Sequence, residues 1–347
     1  MIWFTGGFVK ILVTGAKGFI AGYVIQEFLD HGWEVVGLDN FSKYGDVDKS
    51  YDKNPKYKFV KGDAKDVKLL KDILADCEHF MAGAAMIGGI SYFHEFAYDL
   101  IAENERITAA AFDAAIWAYK SAKLKKITVM SSSMVYENAV KYPTPEGHQL
   151  ECPPPFSTYG FQKLATEYFV KGAYEQYKLP YTLVRPFNCI GIGEKRAVTD
   201  VEIKSGNVSL ALSHVVPDIC QKILKGQDPL HLLGNGKQVR HYTYGGDLAK
   251  GIRYCVEKPE ALNQDFNIST AKSTTVLELA ELIWKKINKD KPFRYVSDKP
   301  FSHDVQLRVP DVAKAKVLLG YEATTSLEQA IDEIIPWIRE QIKLGGI

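Results

Sequence analysis

The chain alternates short apolar runs with longer segments of helical periodicity from about residue 9 onwards. The run Lys10–Thr14 is typical of a buried strand, 15–18 of a tight turn, 19–31 of a helix and 34–38 of a second strand. A strand, a helix and a strand within about 30 residues form a βαβ unit. Repetition of this pattern predicts an α/β fold, in which helices cover both faces of a doubly wound parallel sheet.

Further apolar runs predict the rest of a Rossmann-type sheet with six or seven strands. These runs are 58–60, 79–82, 126–130, 181–184 and 266–268. Amphipathic periodicity also predicts a set of helices. The predicted helices are 100–122, 159–177, 277–287 and 327–342.

The pattern changes after residue 188, where glycines, a charged stretch and a short predicted strand at 230–233 follow. A chain of 347 residues also exceeds the usual size of one domain. We therefore predict two units, a dinucleotide-binding domain and a smaller α/β substrate-binding lobe. The first is predicted over 8–188 and 243–268, and the second over 189–242 and 269–347.

Gly15 and Gly18 lie between the first predicted strand and the first helix. Backbone N–H groups at that helix start can hold a pyrophosphate. Asp39 follows the second strand about 20 residues later, where its carboxylate can accept hydrogen bonds from the ribose hydroxyls and would repel a 2′-phosphate. The pattern predicts NAD as the cofactor. Asp63 is a candidate for the adenine amino group, and equally for capping a turn.

Tyr159 and Lys163 are four residues apart in a predicted helix, so they share one face. A phenol with a pKa of about 10 is a poor base at neutral pH, but a nearby ammonium favours the phenolate. The spacing therefore suits a general base, although a surface pair would have the same spacing.

An ordered set of motifs resembles the extended short-chain dehydrogenase/reductase family, in particular its nucleotide-sugar epimerases, dehydratases and decarboxylases. The resemblance runs nearly from end to end. The motifs are Gly15-x-x-Gly18-Phe19-Ile20, Asp39, Gly62-Asp63, Ala84-Ala85, Ser131–Tyr136, Tyr159-x-x-x-Lys163, Arg185–Asn188, Gly234-x-Gly236-x-Gln238-x-Arg240 and Arg308-x-x-Asp311.

The resemblance implies a catalytic group of Ser132, Tyr159 and Lys163. The implied cofactor site comprises Gly15, Lys17, Gly18, Phe19, Ile20, Asp39, Asn40, Asp63, Ala64, Ala84, Ala85, Tyr159, Lys163 and Pro186. The implied substrate site holds a nucleotide-diphosphate sugar, with Asn188, Arg240 and Arg308 on its diphosphate. Its other members are Gly88, Ser133, His214, Val215 and His231.

The step shared by these relatives is oxidation of a sugar hydroxyl, usually at C4. Relatives that go on to eliminate water carry Asp and Glu after the catalytic residue, where this chain has Ser133 and Met134. Met134 also replaces the cysteine of GDP-mannose 3,5-epimerase and the glutamate common in UDP-glucuronate decarboxylases, and a thioether transfers no protons. Inversion at C4 is therefore favoured, although residues 84–89 most resemble GDP-mannose 3,5-epimerase.

Three alternatives remain open: another reaction of this family, a dehydrogenase that releases NADH, and a non-catalytic NAD-binding protein. Lys+Arg number 43 and Asp+Glu 42, which gives no support to nucleic-acid or membrane binding. The five cysteines lack metal-ligand spacing, so we expect reduced thiols, no metal and a cytoplasmic protein. The resemblance also implies a homodimer through a four-helix contact.

Overall fold

The computed structural model describes residues 9–87, 96–195, 203–205, 208–210, 214–300 and 305–347. Seven parallel strands form its central sheet, in the order β7-β6-β5-β4-β1-β2-β3. Their bounds are β1 Lys10–Thr14, β2 Glu34–Asp39, β3 Tyr57–Lys61, β4 His79–Ala82, β5 Lys126–Met130, β6 Tyr181–Pro186 and β7 Gln264–Ile268. The predicted Rossmann-type α/β fold is confirmed.

The strand order reverses between β1 and β4, which are neighbours although two strands separate them in sequence. In open parallel sheets, the crevice at such a reversal receives ligands at the carboxyl ends of the strands. The sheet order therefore places the end of β1, with its glycine turn, at the expected binding edge.

Helices cover the sheet and build the smaller lobe. Their bounds are α1 Phe19–Asp30, α2 Val67–Leu74, α3 Ala97–Ser121, α4 Thr158–Tyr177, α5 Val215–Leu224, α6 Gly245–Glu257, α7 Val276–Asn288, α8 Ala313–Leu319 and α9 Leu327–Lys343. The apolar sides of α1 and α6 pack on one face of the sheet, and those of α2, α3 and α4 pack on the other. No helix in the described part of the chain is long and apolar enough to cross a membrane.

The smaller lobe has its own apolar core between α5, α7 and α9, around the buried Trp284. A parallel strand pair, Leu230–Leu233 with Tyr295–Asp298, lies beside it. Ala315, Leu319 and Tyr321 belong instead to the core of the sheet domain, although the sequence prediction placed them in the smaller lobe. An amphipathic pattern shows that a helix has a buried face, but not which core that face joins.

A buried ion-pair network fastens α4 to the sheet. The guanidinium of Arg185, on β6, donates to both carboxylate oxygens of Glu167 at 2.7 and 2.8 Å and to Asp265 at 2.7 Å. Glu167 also accepts a 2.6 Å bond from the hydroxyl of Ser131. The network therefore joins α4 and β6 to the segment that follows β5.

Arg185→Met should lower the free energy of unfolding by about 3–5 kcal/mol, because it leaves the buried carboxylate of Glu167 without a charged partner and Asp265 with Lys314 alone. Arg294→Met is the matched control, since Arg294 pairs with Asp228 on the surface at 2.9 Å. This substitution should lower the free energy of unfolding by less than about 1 kcal/mol. Urea unfolding of both variants measures the difference. Equal losses would show that the buried network does not stabilise the sheet domain.

Candidate active site

A cleft of about 1170 Å³ lies between the carboxyl edge of the sheet and the smaller lobe. Its walls include the glycine turn after β1, the ends of β4 and β5, the start of α4 and the first turn of α5. This volume slightly exceeds the range of about 300–1,000 Å³ typical of small-molecule pockets. It is large enough for a dinucleotide and a second ligand side by side.

The turn after β1 is shaped for a phosphate group. Gly15 has a φ of +77°, and a Cβ there would lie 3.1 Å from the Cα of Ala84 on the neighbouring segment. A Cβ on Gly18 would lie 2.9 Å from the carbonyl oxygen of Gly15. Both positions therefore require glycine, and the start of α1 is left open to the cleft for a pyrophosphate.

Asp39 lines the cleft at the end of β2. Its Oδ2 accepts a 3.0 Å bond from the backbone N–H of Lys17, and its Oδ1 accepts a 2.7 Å bond from Phe41. These bonds fix the carboxylate where ribose hydroxyls can donate to its remaining lone pairs. Lys17 contributes its backbone here, because its ammonium turns away to Asp52 at 2.9 Å.

Asn104 supports the loop that follows β4, and sequence reasoning missed it. Its buried side chain donates to the carbonyl of Met86 at 2.9 Å and accepts from the N–H of Met86 at 2.7 Å. This pair of hydrogen bonds holds the stretch that begins at Ala84 and Ala85, both of which line the cleft. An asparagine inside an alanine-rich amphipathic helix is the sequence feature that could have indicated this role.

The predicted catalytic side chains meet in the cleft. Tyr159 and Ser132 lie beside each other, close enough for the hydroxyl of Ser132 to lower the pKa of the phenol, and Ser132 accepts a hydrogen bond from the N–H of Met134 at 3.2 Å. Lys163 donates to the carbonyl of Met130 at 3.1 Å, and its ammonium lies 6.0 Å from the centroid of the Tyr159 ring. All three predicted catalytic side chains are buried.

Burial raises the pKa of Tyr159, while the hydrogen bond from Ser132 and the charge of Arg308 act in the opposite direction. Burial also lowers the pKa of Lys163 to about 8. The charge that lowers the pKa of Tyr159 in this structure is that of Arg308, and the effect of the Lys163 ammonium on the phenol stays a prediction.

Two arginines approach the cleft from the side of the smaller lobe. Arg308 contacts the Oδ1 of Asn188 at 3.4 Å and the sulfur of Met134 at 2.8 Å. Arg240 donates to the carbonyl of Val239 at 2.9 Å. The two guanidinium groups and Asn188 face the space beside the catalytic pair, where they suit a diphosphate.

The other predicted substrate residues fall into three groups. Ser133, His214 and Val215 line the cleft, with the imidazole of His214 hydrogen-bonded to Glu194. His231 does not line the cleft. Its Nδ1 pairs at 2.9 Å with Asp298, which lies on the adjacent strand. Gly88 lies outside the described residues.

The predicted cofactor residues all line the same cleft. They are Gly15, Lys17, Gly18, Phe19, Ile20, Asp39, Asn40, Asp63, Ala64, Ala84, Ala85, Tyr159, Lys163 and Pro186.

Several polar groups in the cleft carried no sequence signal. Glu137, Glu194, Asp218 and Tyr242 line it, and none of them belongs to a motif that the sequence analysis named. Burial raises the pKa of Asp218 to about 6 although Lys222 pairs with it at 2.9 Å. Within the described ranges, no group of three or more His, Cys, Asp or Glu side chains could hold a metal ion.

The sequence pattern of the NAD dependent epimerase/dehydratase family matches residues 11–269. The chain belongs to this family, and its cofactor is NAD. The glycine turn and the carboxylate of Asp39 fit that dinucleotide. Membership supports an enzyme that acts on nucleotide sugars.

Relatives cover the chain almost completely. The crystal structure of UDP-glucose 4-epimerase with UDP-glucose from Thermotoga maritima is 27% identical and covers 96% of this chain and 100% of its own, with a TM-score of 0.78. The UDP-glucose 4-epimerase of Lactobacillus helveticus is 25% identical over 94% of this chain and 95% of its own length. The human dTDP-D-glucose 4,6-dehydratase is 25% identical over 96% of this chain and 91% of its own length. Relatives of similar identity therefore differ in reaction.

Asp39→Asn should weaken NAD binding by about 10- to 100-fold, because a hydrogen bond to a charged group contributes about 1.5–3 kcal/mol. The substitution should also reduce the ratio of NAD affinity to NADP affinity, since a negative charge no longer faces the 2′-phosphate of NADP. Calorimetric titration with both dinucleotides measures this. Asp48→Asn, an exposed neighbour, is the control. Unchanged NAD affinity in Asp39→Asn would show that Asp39 does not bind the ribose of NAD.

Proposed function

We propose that the chain is an NAD-dependent nucleotide-sugar epimerase that inverts C4 of the sugar through a transient 4-keto intermediate. The observation that carries this proposal is the burial of Tyr159 beside Ser132 in the cleft, between the dinucleotide turn and two arginines. A sugar hydroxyl bound there would meet the proposed base and the cofactor.

In the proposed reaction, Tyr159 takes the proton of the C4 hydroxyl, and Ser132 holds that oxygen by a hydrogen bond. Bound NAD supplies the acceptor for the hydride that leaves C4. Lys163 donates to a backbone carbonyl and stands beside the ring of Tyr159, where it suits a ribose hydroxyl of the cofactor. For inversion, the keto sugar would turn within the cleft, so that the cofactor could return the hydride to the opposite face of C4 while Tyr159 returns the proton to the C4 oxygen.

The neighbours of Ser132 favour this outcome over elimination or ring-carbon epimerisation, which need another acid and base. Ser133 is neutral, and the sulfur of Met134 contacts the guanidinium of Arg308. Glu137 is the nearest carboxylate along this segment, and its Oε2 accepts two hydrogen bonds from Ser157. None of these groups is arranged as a free proton donor toward a sugar carbon.

We propose a UDP-hexose as the first substrate to examine. Two relatives that cover nearly the whole chain are UDP-glucose 4-epimerases. Arg240, Arg308 and Asn188 provide the charge and the hydrogen-bond donors that a diphosphate requires.

Tyr159→Phe should lower kcat for interconversion of UDP-glucose and UDP-galactose by about 10²- to 10⁴-fold, because the ring stays and only the general base is lost. Wild-type kcat should rise with pH through the neutral range, since burial holds the pKa of Tyr159 above its ordinary value and the base must be ionised. Tyr295→Phe, at an exposed tyrosine that does not line the cleft, is the control. Steady-state rates across pH test both statements.

Turnover of UDP-glucose in D₂O should give UDP-galactose with no carbon-bound deuterium, because the hydrogen removed from C4 returns as a hydride without exchange. Nuclear magnetic resonance and mass spectrometry of the product measure this, with GDP-, CDP- and dTDP-sugars tested in parallel. A deuterated, dehydrated or decarboxylated product would identify another reaction of the family. Stoichiometric release of NADH would identify a dehydrogenase.

We also propose a homodimer through α3 and α4. These helices pack against each other, and α4 exposes Phe161, Tyr168 and Phe169. Exposed aromatic side chains on paired helices are suited to a four-helix contact. Sedimentation should show a dimer at micromolar concentration, and Phe161→Asp should shift it to monomer. A wild-type monomer under these conditions would contradict the proposal.

A further inference from the structure

The two catalytic hydroxyls come from segments that are distant in sequence. Ser132 precedes the short 3-10 helix Ser133–Tyr136, and Tyr159 lies in the first turn of α4. The loop between them does not fix their separation by local geometry. The distance between the hydroxyls therefore depends on how the 3-10 helix and the start of α4 contact each other.

Glu137 makes the polar part of that contact. It directly follows the 3-10 helix, and its Oε2 accepts from the N–H of Ser157 at 3.0 Å and from the hydroxyl of Ser157 at 2.8 Å. Ser157 in turn caps α4, because its hydroxyl oxygen accepts from the N–H of Gly160 at 3.0 Å. One carboxylate oxygen thus links the end of one catalytic segment to the cap of the other.

Gly160 makes the steric part of the contact. A Cβ at this position would lie 2.8 Å from the carbonyl oxygen of Met134 and 3.0 Å from Oε2 of Glu137. The helix therefore rests directly on the backbone of the 3-10 helix, without a side chain between them. Any shift of the Ser157 cap moves Tyr159 relative to Ser132.

We infer that Glu137 is a positioning residue for the catalytic pair, which acts through Ser157 to hold Tyr159 against Ser132. This inference rests on the proposed function for its kinetic effect, but the geometry does not depend on the sugar. Hydrogen bonds to a carboxylate are stronger than neutral ones, so they resist displacement of the helix start. Misplacement of a reacting group by about 1 Å can cost about 10²-fold in rate.

The test compares Glu137→Ala with Glu137→Gln in the NAD-loaded enzyme. Alanine should lower kcat for UDP-glucose by about 10- to 100-fold while KM changes by less than about twofold. Glutamine should keep kcat within about threefold of wild type, because its amide oxygen can accept both bonds from Ser157. Glu175→Gln, at the exposed far end of the same helix, should leave both constants unchanged.

A second readout needs no substrate. The hydrogen bond from Ser132 lowers the pKa of Tyr159, so its loss should move ionisation of the phenol to higher pH. Ultraviolet difference titration, with each variant compared to its Tyr159→Phe counterpart, isolates this residue. We expect Glu137→Ala to titrate at higher pH than wild type, and Glu137→Gln to titrate as wild type does.

Two outcomes overturn the inference. Equal loss of kcat in Glu137→Gln and Glu137→Ala would mean that the charge itself takes part in the chemistry. Wild-type kcat and an unchanged Tyr159 titration in Glu137→Ala, with only a lower Tm, would reduce Glu137 to a helix-capping role. If wild type turns over no sugar but the titration shifts as stated, the proposed function fails and the positioning role stands.

Discussion

The phenol of Tyr159 is buried, and burial opposes the ionised form that a base requires. Two groups counter this penalty, the hydroxyl of Ser132 and the guanidinium of Arg308. The hydroxyl follows β5 and the guanidinium comes from the segment after the smaller lobe's strand pair. The reactivity of one side chain on α4 therefore depends on correct docking of both parts of the chain.

The strand order of the sheet determines which segments surround Tyr159. Reversal between β1 and β4 opens a crevice, and the glycine turn after β1 places the start of α1 at its edge. Asp39 and Asn104 then fix two sides of the cleft next to this turn through hydrogen bonds to backbone groups. Because parallel strands end together, residues from separate βαβ units face one ligand. Arg308 closes the cleft from the opposite side.

Features that depend on local periodicity were predictable. The strands of the sheet, the turn at Gly15 and the helix that carries Tyr159 follow from apolar spacing and steric requirements. Features that depend on tertiary contact were not. Glu137 reaches Ser157 across 20 residues of sequence, and the surroundings of Asp218 arise only when α5 meets the cleft. The pairing of His231 with Asp298 was unpredictable for the same reason, since a histidine on a strand does not reveal its partner on the adjacent strand.

A trapped intermediate tests the central claim most directly. The NAD-loaded enzyme turning over UDP-glucose can be quenched in denaturant that contains sodium borodeuteride, which reduces any ketone present and labels its carbon. The account predicts hexose that carries deuterium at C4, and none when Phe replaces Tyr159. Deuterium at another ring carbon, or no labelled hexose during active turnover, would contradict oxidation at C4 by Tyr159.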